Sequence, residues 1–189
     1  WPELGPDERI RALVEFGRLL RRLHAVRLPG HGPLTVGEPS SLRLSVFLTE
    51  DLLDRLRPAV AGAWPSRLRS VDWLHEAFSE HLGTREEPEA VLVHNDLFAA
   101  NILCSRTDTG FHCVGVLDFE DSIAGPVEAD LAKTEVLHGP LFGRPLAGDW
   151  FTRVLEGYGG EFDVTLLALF RVYHLLNMGF HAAAIGLEA

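Results

Sequence analysis

The chain has 189 residues and a net charge of −10. With 47% hydrophobic and 23% charged residues, its composition is that of a soluble globular protein. Its length predicts one domain over residues 1–189. The acidic balance disfavours nucleic acid as a partner, because phosphate binding needs a basic surface. No apolar run approaches the roughly 20 residues of a membrane span, so no membrane contact is expected, and the N-terminal WPELGPDERIR lacks the apolar core of a signal peptide.

The first predicted element is a helix. Asp7 can cap it, and apolar residues at helical spacing carry it to about Val26. His24, near its end, is expected to be structural and bonded to a carbonyl group. Residues 28–40 are rich in proline and glycine and are predicted to form a connector.

A second, mostly helical stretch covers residues 41–61 and should break at Pro58. Its acidic side chains could touch a cationic substrate or form a solvated face: Glu50, Asp51 and Asp54. Residues 66–82 form an amphipathic helix, with apolar side chains along one side.

Residues 91–119 have a different pattern and are predicted to form a small β-element. Two apolar runs of strand length flank a loop that holds His94, Asp96 and Asn101, and a third run ends on Asp118. Strands that deliver polar side chains to their ends are a common way to build a site on a rigid base.

Two cysteines, Cys104 and Cys113, flank the polar turn between the last two of these runs. They could face each other across a hairpin. Free thiols are the favoured interpretation, which agrees with a reducing, cytoplasmic location.

The remainder of the chain is predicted to be helical. Residues 126–137 should form a helix that carries Asp130 inward, and a short helix should follow a loop rich in glycine and proline, at about residues 148–158. Asp163 should cap a long final helix that is apolar nearly all round and therefore deeply packed.

The spacing of the polar residues indicates phosphoryl transfer. His94-x-Asp96-x4-Asn101 is followed 17 residues later by Asp118. One carboxylate can orient an attacking hydroxyl group and accept its proton, while an amide oxygen and a second carboxylate can hold Mg²⁺ against nucleotide phosphates. Six acids and one base between Asp118 and Glu135 are compatible with a cationic substrate.

These blocks resemble those of the aminoglycoside phosphotransferases and their relatives, the choline, homoserine, fructosamine and macrolide kinases. The family pattern is H-G-D-x4-N, then I-D-[FW]-x-D, then G-x4-D-L-A. The matching residues here are His94-Asn95-Asp96 with Asn101, Leu117-Asp118-Phe119-Glu120-Asp121, and Gly125-x4-Asp130-Leu131-Ala132. Asn95 departs from the pattern. The resemblance implies an α+β, predominantly helical C-terminal lobe of a protein-kinase-like fold, with a β-hairpin element that carries the site.

On this basis Asp96 is expected to be the catalytic carboxylate. Asn101 and Asp118 are expected to bind Mg²⁺ and through it the phosphoryl donor, ATP or GTP. Glu120 and Asp121 are candidate contacts for a cationic or polyhydroxylated small molecule.

Two further residues are expected to support the site. His94 should hold the loop by hydrogen bonds rather than shuttle protons. The resemblance implies that Asp130 braces the same loop from the following helix.

Two parts of a nucleotide kinase are not found. There is no glycine-rich phosphate loop, and the only lysine, Lys133, follows Asp118. We therefore expect the chain to be a C-terminal lobe whose N-terminal, ATP-clamping lobe precedes Trp1. The chain alone is expected to bind ATP weakly and to turn over negligibly.

The favoured function is an ATP- or GTP-dependent phosphotransferase acting on a hydroxyl group of a small molecule, such as an aminoglycoside-like antibiotic. Three alternatives remain: a small-metabolite kinase of the fructosamine, choline or homoserine type, a kinase-like binding module without catalysis, and polar residues that only cap turns. A metallohydrolase using His94 and Asp96 as ligands lacks the further histidines expected nearby.

Overall fold

The structure is a computed structural model that describes residues 4–34, 41–108, 110–138 and 148–186. Its helices are α1 (Pro6–Leu23), α2 (Leu44–Thr49), α3 (Arg57–Ala63), α4 (Leu68–Gly83), α5 (Val127–Leu137), α6 (Trp150–Tyr158) and α7 (Val164–Ala184). Its strands are β1 (Gly32–Pro33), β2 (Val91–Val93), β3 (Ile102–Thr107), β4 (Gly110–Val116) and β5 (Ile123–Gly125). The predicted mostly helical α+β class is confirmed. Most of the predicted loop before α6 and the end of the predicted connector lie outside the described residues.

The first helix begins earlier than predicted and also ends earlier. Gly5, not Asp7, is the N-cap residue, and Glu8 accepts a hydrogen bond from the Gly5 N–H at 3.1 Å. Pro6 can be the first residue of the helix because N–H groups in the first turn have no acceptor within the helix. The N–H group that proline lacks is therefore not needed there. Asp7 therefore lies inside the first turn, where its negative charge interacts favourably with the positive end of the helix dipole. The helix ends at Leu23, three residues before the predicted Val26.

The predicted break at Pro58 is wrong, because α2 continues into α3 through a π-helical segment, Glu50–Leu56. Pro58 lies in the first turn of α3, and the wider turns of the preceding π-helical segment leave room for its ring. Buried apolar residues recur every four positions along the whole stretch, and an ordinary α-helix would rotate such a stripe by about 40° per step. The π-helical turns reduce this drift and keep the stripe facing the core: Leu44, Leu48, Leu52, Leu56 and Val60.

Two small sheets carry the central stretch. β3 and β4 form the predicted hairpin, and β2 pairs with β5 in a three-stranded antiparallel sheet of order β1-β5-β2. β1 and β5 were not predicted, since strands of two and three residues are too short to show a period. This second sheet places the start of the site loop, after Val93, beside Ile123.

The helices enclose the core in pairs. α1 crosses α6 at Gly17 and Gly157, where a Cβ atom on either residue would collide with the backbone of the other helix. α7 packs on α4 and α5, and Asp163 caps it as predicted, accepting from the N–H groups of Thr165 at 2.8 Å and Leu166 at 3.1 Å. Deep packing of α7 is confirmed only for its first half, because none of its described side chains beyond Leu176 is buried. None of the helices in the described ranges is long and apolar enough to cross a membrane.

Candidate active site

The loop after β2 is anchored from beneath by a single buried carboxylate. Asp130, on α5, is fully buried and accepts hydrogen bonds from the backbone N–H groups of His94 at 2.9 Å and Asn95 at 3.0 Å. Its third partner is the imidazole of His24, whose Nε2 lies 3.1 Å from Asp130 Oδ2 and whose Nδ1 lies 3.1 Å from the Tyr158 hydroxyl. His24 thus has structural partners, but these are a carboxylate and a phenol hydroxyl group rather than a carbonyl group.

Electrostatics keep Asp130 ionised despite its burial. Burial alone would raise the pKa of this carboxyl, but the hydrogen bonds from His24 and from the two backbone N–H groups outweigh it and hold the pKa below its ordinary value. Hydrogen bonds to a charged acceptor are stronger than those to a neutral one, and Asp130 accepts from three donors. Asp130 can therefore fix the loop that carries Asp96.

Asn95, which departs from the family pattern, has a left-handed backbone with φ of 63°. Glycine adopts this region freely, and asparagine adopts it more easily than other side chains. Its side-chain Nδ2 also donates to the backbone oxygen of Asp121 at 3.2 Å. Asparagine therefore serves the same turn as glycine and adds a link to the neighbouring loop.

The backbone at Asn95 yields a testable stability difference. Asn95→Gly and Asn95→Ala both lose the bond to Asp121, but only alanine must place a Cβ atom in the left-handed region, which costs about 1–2 kcal/mol. Urea unfolding should show Asn95→Ala to be about 1 kcal/mol less stable than Asn95→Gly. Equal stability of the two variants would contradict the left-handed assignment.

His94 joins this loop to the strand end before Asp118. It is fully buried, its Nε2 donates to the backbone oxygen of Leu117 at 2.8 Å, and its Nδ1 accepts from the N–H of Asp96 at 3.3 Å. These two bonds fit a neutral imidazole with its proton on Nε2. Leu117 also donates its N–H to the backbone oxygen of Asn101 at 2.9 Å. Both ends of the loop from His94 to Asn101 are thus joined to the strand end at Leu117.

Asn101 and Asp118 offer oxygen atoms at the edge of this junction. Asn101 is buried and uses its Nδ2 on the backbone oxygen of Asp96 at 2.9 Å and on the Asp96 carboxylate at 3.4 Å. No hydrogen bond among the described residues occupies its amide oxygen. Asp118 is exposed, with a left-handed φ of 64°, which is unusual for aspartate and typical of strained functional positions.

This donor set suits a hard divalent cation. One amide oxygen and one carboxylate are ligands that Mg²⁺ accepts, and Mg²⁺ commonly completes its shell with water and phosphate oxygens. Clusters of three or more His, Cys, Asp or Glu at metal-binding distance do not occur in the described ranges. The arrangement therefore fits an ion shared with a phosphate ligand better than a cage made of protein alone.

Asp96 is half-buried and lies among other charges. Burial raises its pKa, the positive charge of Lys133 opposes this, and the carboxylates of Asp121 and Asp118 raise it further. Asp121 is thus near enough to Asp96 to act on it electrostatically. Glu120 is exposed in the same turn, and no contact in the described part of the chain links it to Asp96.

Lys133 is a residue of the site that was not predicted from the sequence. Because it follows Asp118 in the chain, it cannot be the strand lysine that contacts nucleotide phosphates in kinases. Its charge acts on Asp96, Asp121 and Asp130. One signal was available: Lys133 follows Asp130 by three residues on one helix, so both side chains share a face.

The acids of the π-helical segment, for which substrate contact and a solvated face were both left open, differ from one another. Asp51 accepts from Arg55 Nε at 2.5 Å and Nη2 at 2.9 Å, and from the Tyr173 hydroxyl at 2.7 Å. Its charge is therefore already paired. Glu50 and Asp54 are exposed.

The two cysteines face each other across the hairpin, as predicted. Cys104 and Cys113 are register partners, with sulfur atoms 3.9 Å apart, and both are free thiols. Burial raises the pKa of both thiols, that of Cys113 to about 12. Both are therefore protonated at neutral pH.

Comparison with known proteins gives a family match over most of the chain. The sequence model of the phosphotransferase enzyme family matches residues 1–170. None of the curated proteins matches the chain.

Solved structures share the fold at low sequence identity. A thermostable mutant of aminoglycoside phosphotransferase APH(4)-Ia, in a ternary complex with ADP and hygromycin B, has a TM-score of 0.66 at 15% identity over 96% of this chain and 60% of that one. Spectinomycin phosphotransferase APH(9)-Ia bound to AMP has a TM-score of 0.54 at 18% identity, over 93% of this chain and 57% of that one. Glucosamine kinase with glucosamine, ADP and inorganic phosphate has a TM-score of 0.56 at 18% identity, over 97% and 50%. The chain thus spans 50–60% of the length of these three structures.

Proposed function

This chain belongs to the phosphotransferase enzyme family, and from that premise we propose that it is the catalytic lobe of a kinase that transfers a phosphoryl group from ATP or GTP to a hydroxyl group of a small molecule. The observation that carries the proposal is the junction at Leu117. There His94 and Asn101 hold the strand end before Asp118 against the loop that carries Asp96. A module that only binds ligands does not need Asp96, Asn101 and Asp118 together.

Asp96 is the catalytic carboxylate in this proposal. It orients the acceptor hydroxyl group and takes its proton as the new oxygen–phosphorus bond forms. The bond from the γ-phosphorus to the bridging oxygen breaks, and its electron pair leaves with the nucleoside diphosphate. The proton then passes from Asp96 to solvent.

Asn101 and Asp118 hold the Mg²⁺ that accompanies the nucleotide. The free amide oxygen of Asn101 and the exposed carboxylate of Asp118 support this assignment. When bound, the ion neutralises charge on the phosphates. His94 and Asp130 hold the metal ligands and the catalytic carboxylate in their relative positions.

The acceptor is a cationic or polyhydroxylated small molecule, such as an aminoglycoside-like antibiotic. Asp121, which acts on Asp96 electrostatically, and the exposed Glu120 are its recognition groups. Two of the similar structures contain hygromycin B and glucosamine, which supports this substrate class. A cytoplasmic enzyme of this type would confer antibiotic resistance.

The nucleotide is held from above by an N-terminal lobe outside these 189 residues. The chain contains no glycine-rich phosphate loop, and its one lysine lies on the helix after the site. It also matches only part of the length of the similar structures. The missing lobe is therefore the main partner of this one.

The experiment is a transfer assay on the full-length protein. Purified protein with Mg-ATP or Mg-GTP is tested against aminoglycosides, amino sugars, choline and homoserine, and phosphorylated product is detected by mass spectrometry. We expect product from at least one aminoglycoside or amino sugar with the full-length protein and negligible product with the 189-residue chain. Tight acceptor binding by calorimetry without product would instead support a non-catalytic binding module.

A further inference from the structure

The half-buried position of the Lys133 side chain is not explained by helix formation or by packing of the core. It lies on α5 one turn after Asp130, on the face that contacts the loop of Asp96. Its side chain is half-buried, and its charge acts on Asp96 and Asp121 across the site. A lysine at an ordinary helix surface would extend its ammonium group into water instead.

The ammonium group has no hydrogen-bond partner among the residues that the structure describes. Within the described ranges Lys133 makes no hydrogen bond and no ion pair, although Asp96, Asp121 and Asp130 all act on it. Taking an ammonium group partly out of water without hydrogen bonds is unfavourable. The arrangement is explained if an anionic group completes the contacts of Lys133 when the site is occupied.

The neighbouring elements supply no other free cation to this place. The loop from Asp96 to Asn101 contains only Leu97, Phe98, Ala99 and Ala100 between them. Arg55, the other cation that acts on Lys133, is bound to Asp51 and Tyr173. Among the described residues, Lys133 is therefore the cation available to an anion beside Asp96.

We propose that Lys133 is a further catalytic residue, whose Nζ donates a hydrogen bond to a non-bridging oxygen of the transferred phosphoryl group. The inference rests on the proposed phosphotransferase function. As the acceptor oxygen bonds to phosphorus and the diphosphate leaves, negative charge spreads over the three oxygens of the phosphoryl group in flight. A fixed ammonium group stabilises that charge more than it stabilises the bound nucleotide, so it raises kcat rather than lowering KM.

The test uses Lys133→Met in the full-length protein, since methionine retains much of the aliphatic stem without the charge. We expect kcat to fall by about 10²- to 10³-fold, as for loss of one oxyanion donor, while KM for nucleotide and acceptor changes little. Affinity for ADP with aluminium fluoride, a mimic of the phosphoryl group in flight, should fall at least about tenfold, while affinity for ADP alone is retained. Lys133→Arg should restore part of both losses.

Arg69→Met, which removes an exposed cation from α4, is the matched control and should leave both measurements unchanged. Retention of kcat by Lys133→Met, or a lower Tm with unchanged affinity for ADP–aluminium fluoride, would assign Lys133 a purely structural role and overturn the proposal. Wild-type protein that neither transfers phosphate nor binds ADP–aluminium fluoride would refute the proposed function itself. The two failures are thus distinguishable.

Discussion

Asp96→Asn in the full-length protein is expected to lower kcat by about 10³-fold or more, with substrate KM values little changed. Asparagine occupies the same space and keeps the backbone oxygen that accepts from Asn101, so the loop should retain its shape. It cannot take the proton of the acceptor hydroxyl group. The loss should therefore fall on the chemical step rather than on binding.

Steady-state kinetics and thermal unfolding measured on the same preparations check this expectation. Asp108→Asn, an exposed change at the turn of the hairpin, is the control and should match the wild type. Asp96→Ala should be as inactive as Asp96→Asn while the fold stays intact. Transfer surviving in either variant would show that another group orients the acceptor.

Asp130→Ala should lower the free energy of unfolding by about 3–5 kcal/mol, the usual cost of breaking a buried charged network. The change leaves the N–H groups of His94 and Asn95 and the ring of His24 without their acceptor inside the protein. Activity should fall as well, because the loop that carries Asp96 loses its anchor. The effect on stability should far exceed that of an exposed pair.

Urea unfolding of the 189-residue chain measures this difference. The control is Asp72→Ala, which breaks an exposed ion pair to Arg57 and should cost at most about 1 kcal/mol. A loss from Asp130→Ala no larger than that of the control would show that Asp130 does not support the fold.

The pH dependence of the same difference follows from the depressed pKa of Asp130. Because the folded pKa lies below the ordinary value of 3.8, the stabilising contribution is fully present above the unfolded pKa. It is lost as the pH falls through the folded pKa. The gap between wild type and Asp130→Ala should therefore be constant around neutral pH and shrink in acid. A gap that widens as the pH falls below 3.8 would contradict this sign.

Local chemistry explains why much of the site could be predicted. Asp96 and Asn101 lie five residues apart in one loop, and Asp163 caps its own helix through the next turn. Such features depend on neighbours in the chain, where residue type and spacing carry the information. The hairpin with Cys104 opposite Cys113 belongs to the same class.

The helix boundaries were less accurate where two local signals competed. A proline at the first turn and a glycine cap displaced the predicted Asp7 cap. Pro58 was tolerated because a π-helical segment precedes it, and that segment forms when a stripe of residues four apart must stay on the core. The stripe can be read in the sequence, but the surface against which it packs cannot.

The sequence by itself determined the family, the mostly helical class and the order of the polar blocks that form the candidate site. Only the tertiary structure showed that His24, which is itself bonded to Tyr158, holds Asp130 across 106 residues, and that the charge of Lys133 acts on Asp96. The physical reason is that these contacts depend on how α1, α5 and α6 pack around a shared core. Packing at that range is decided by shape and by the burial of many side chains together, which no short motif records.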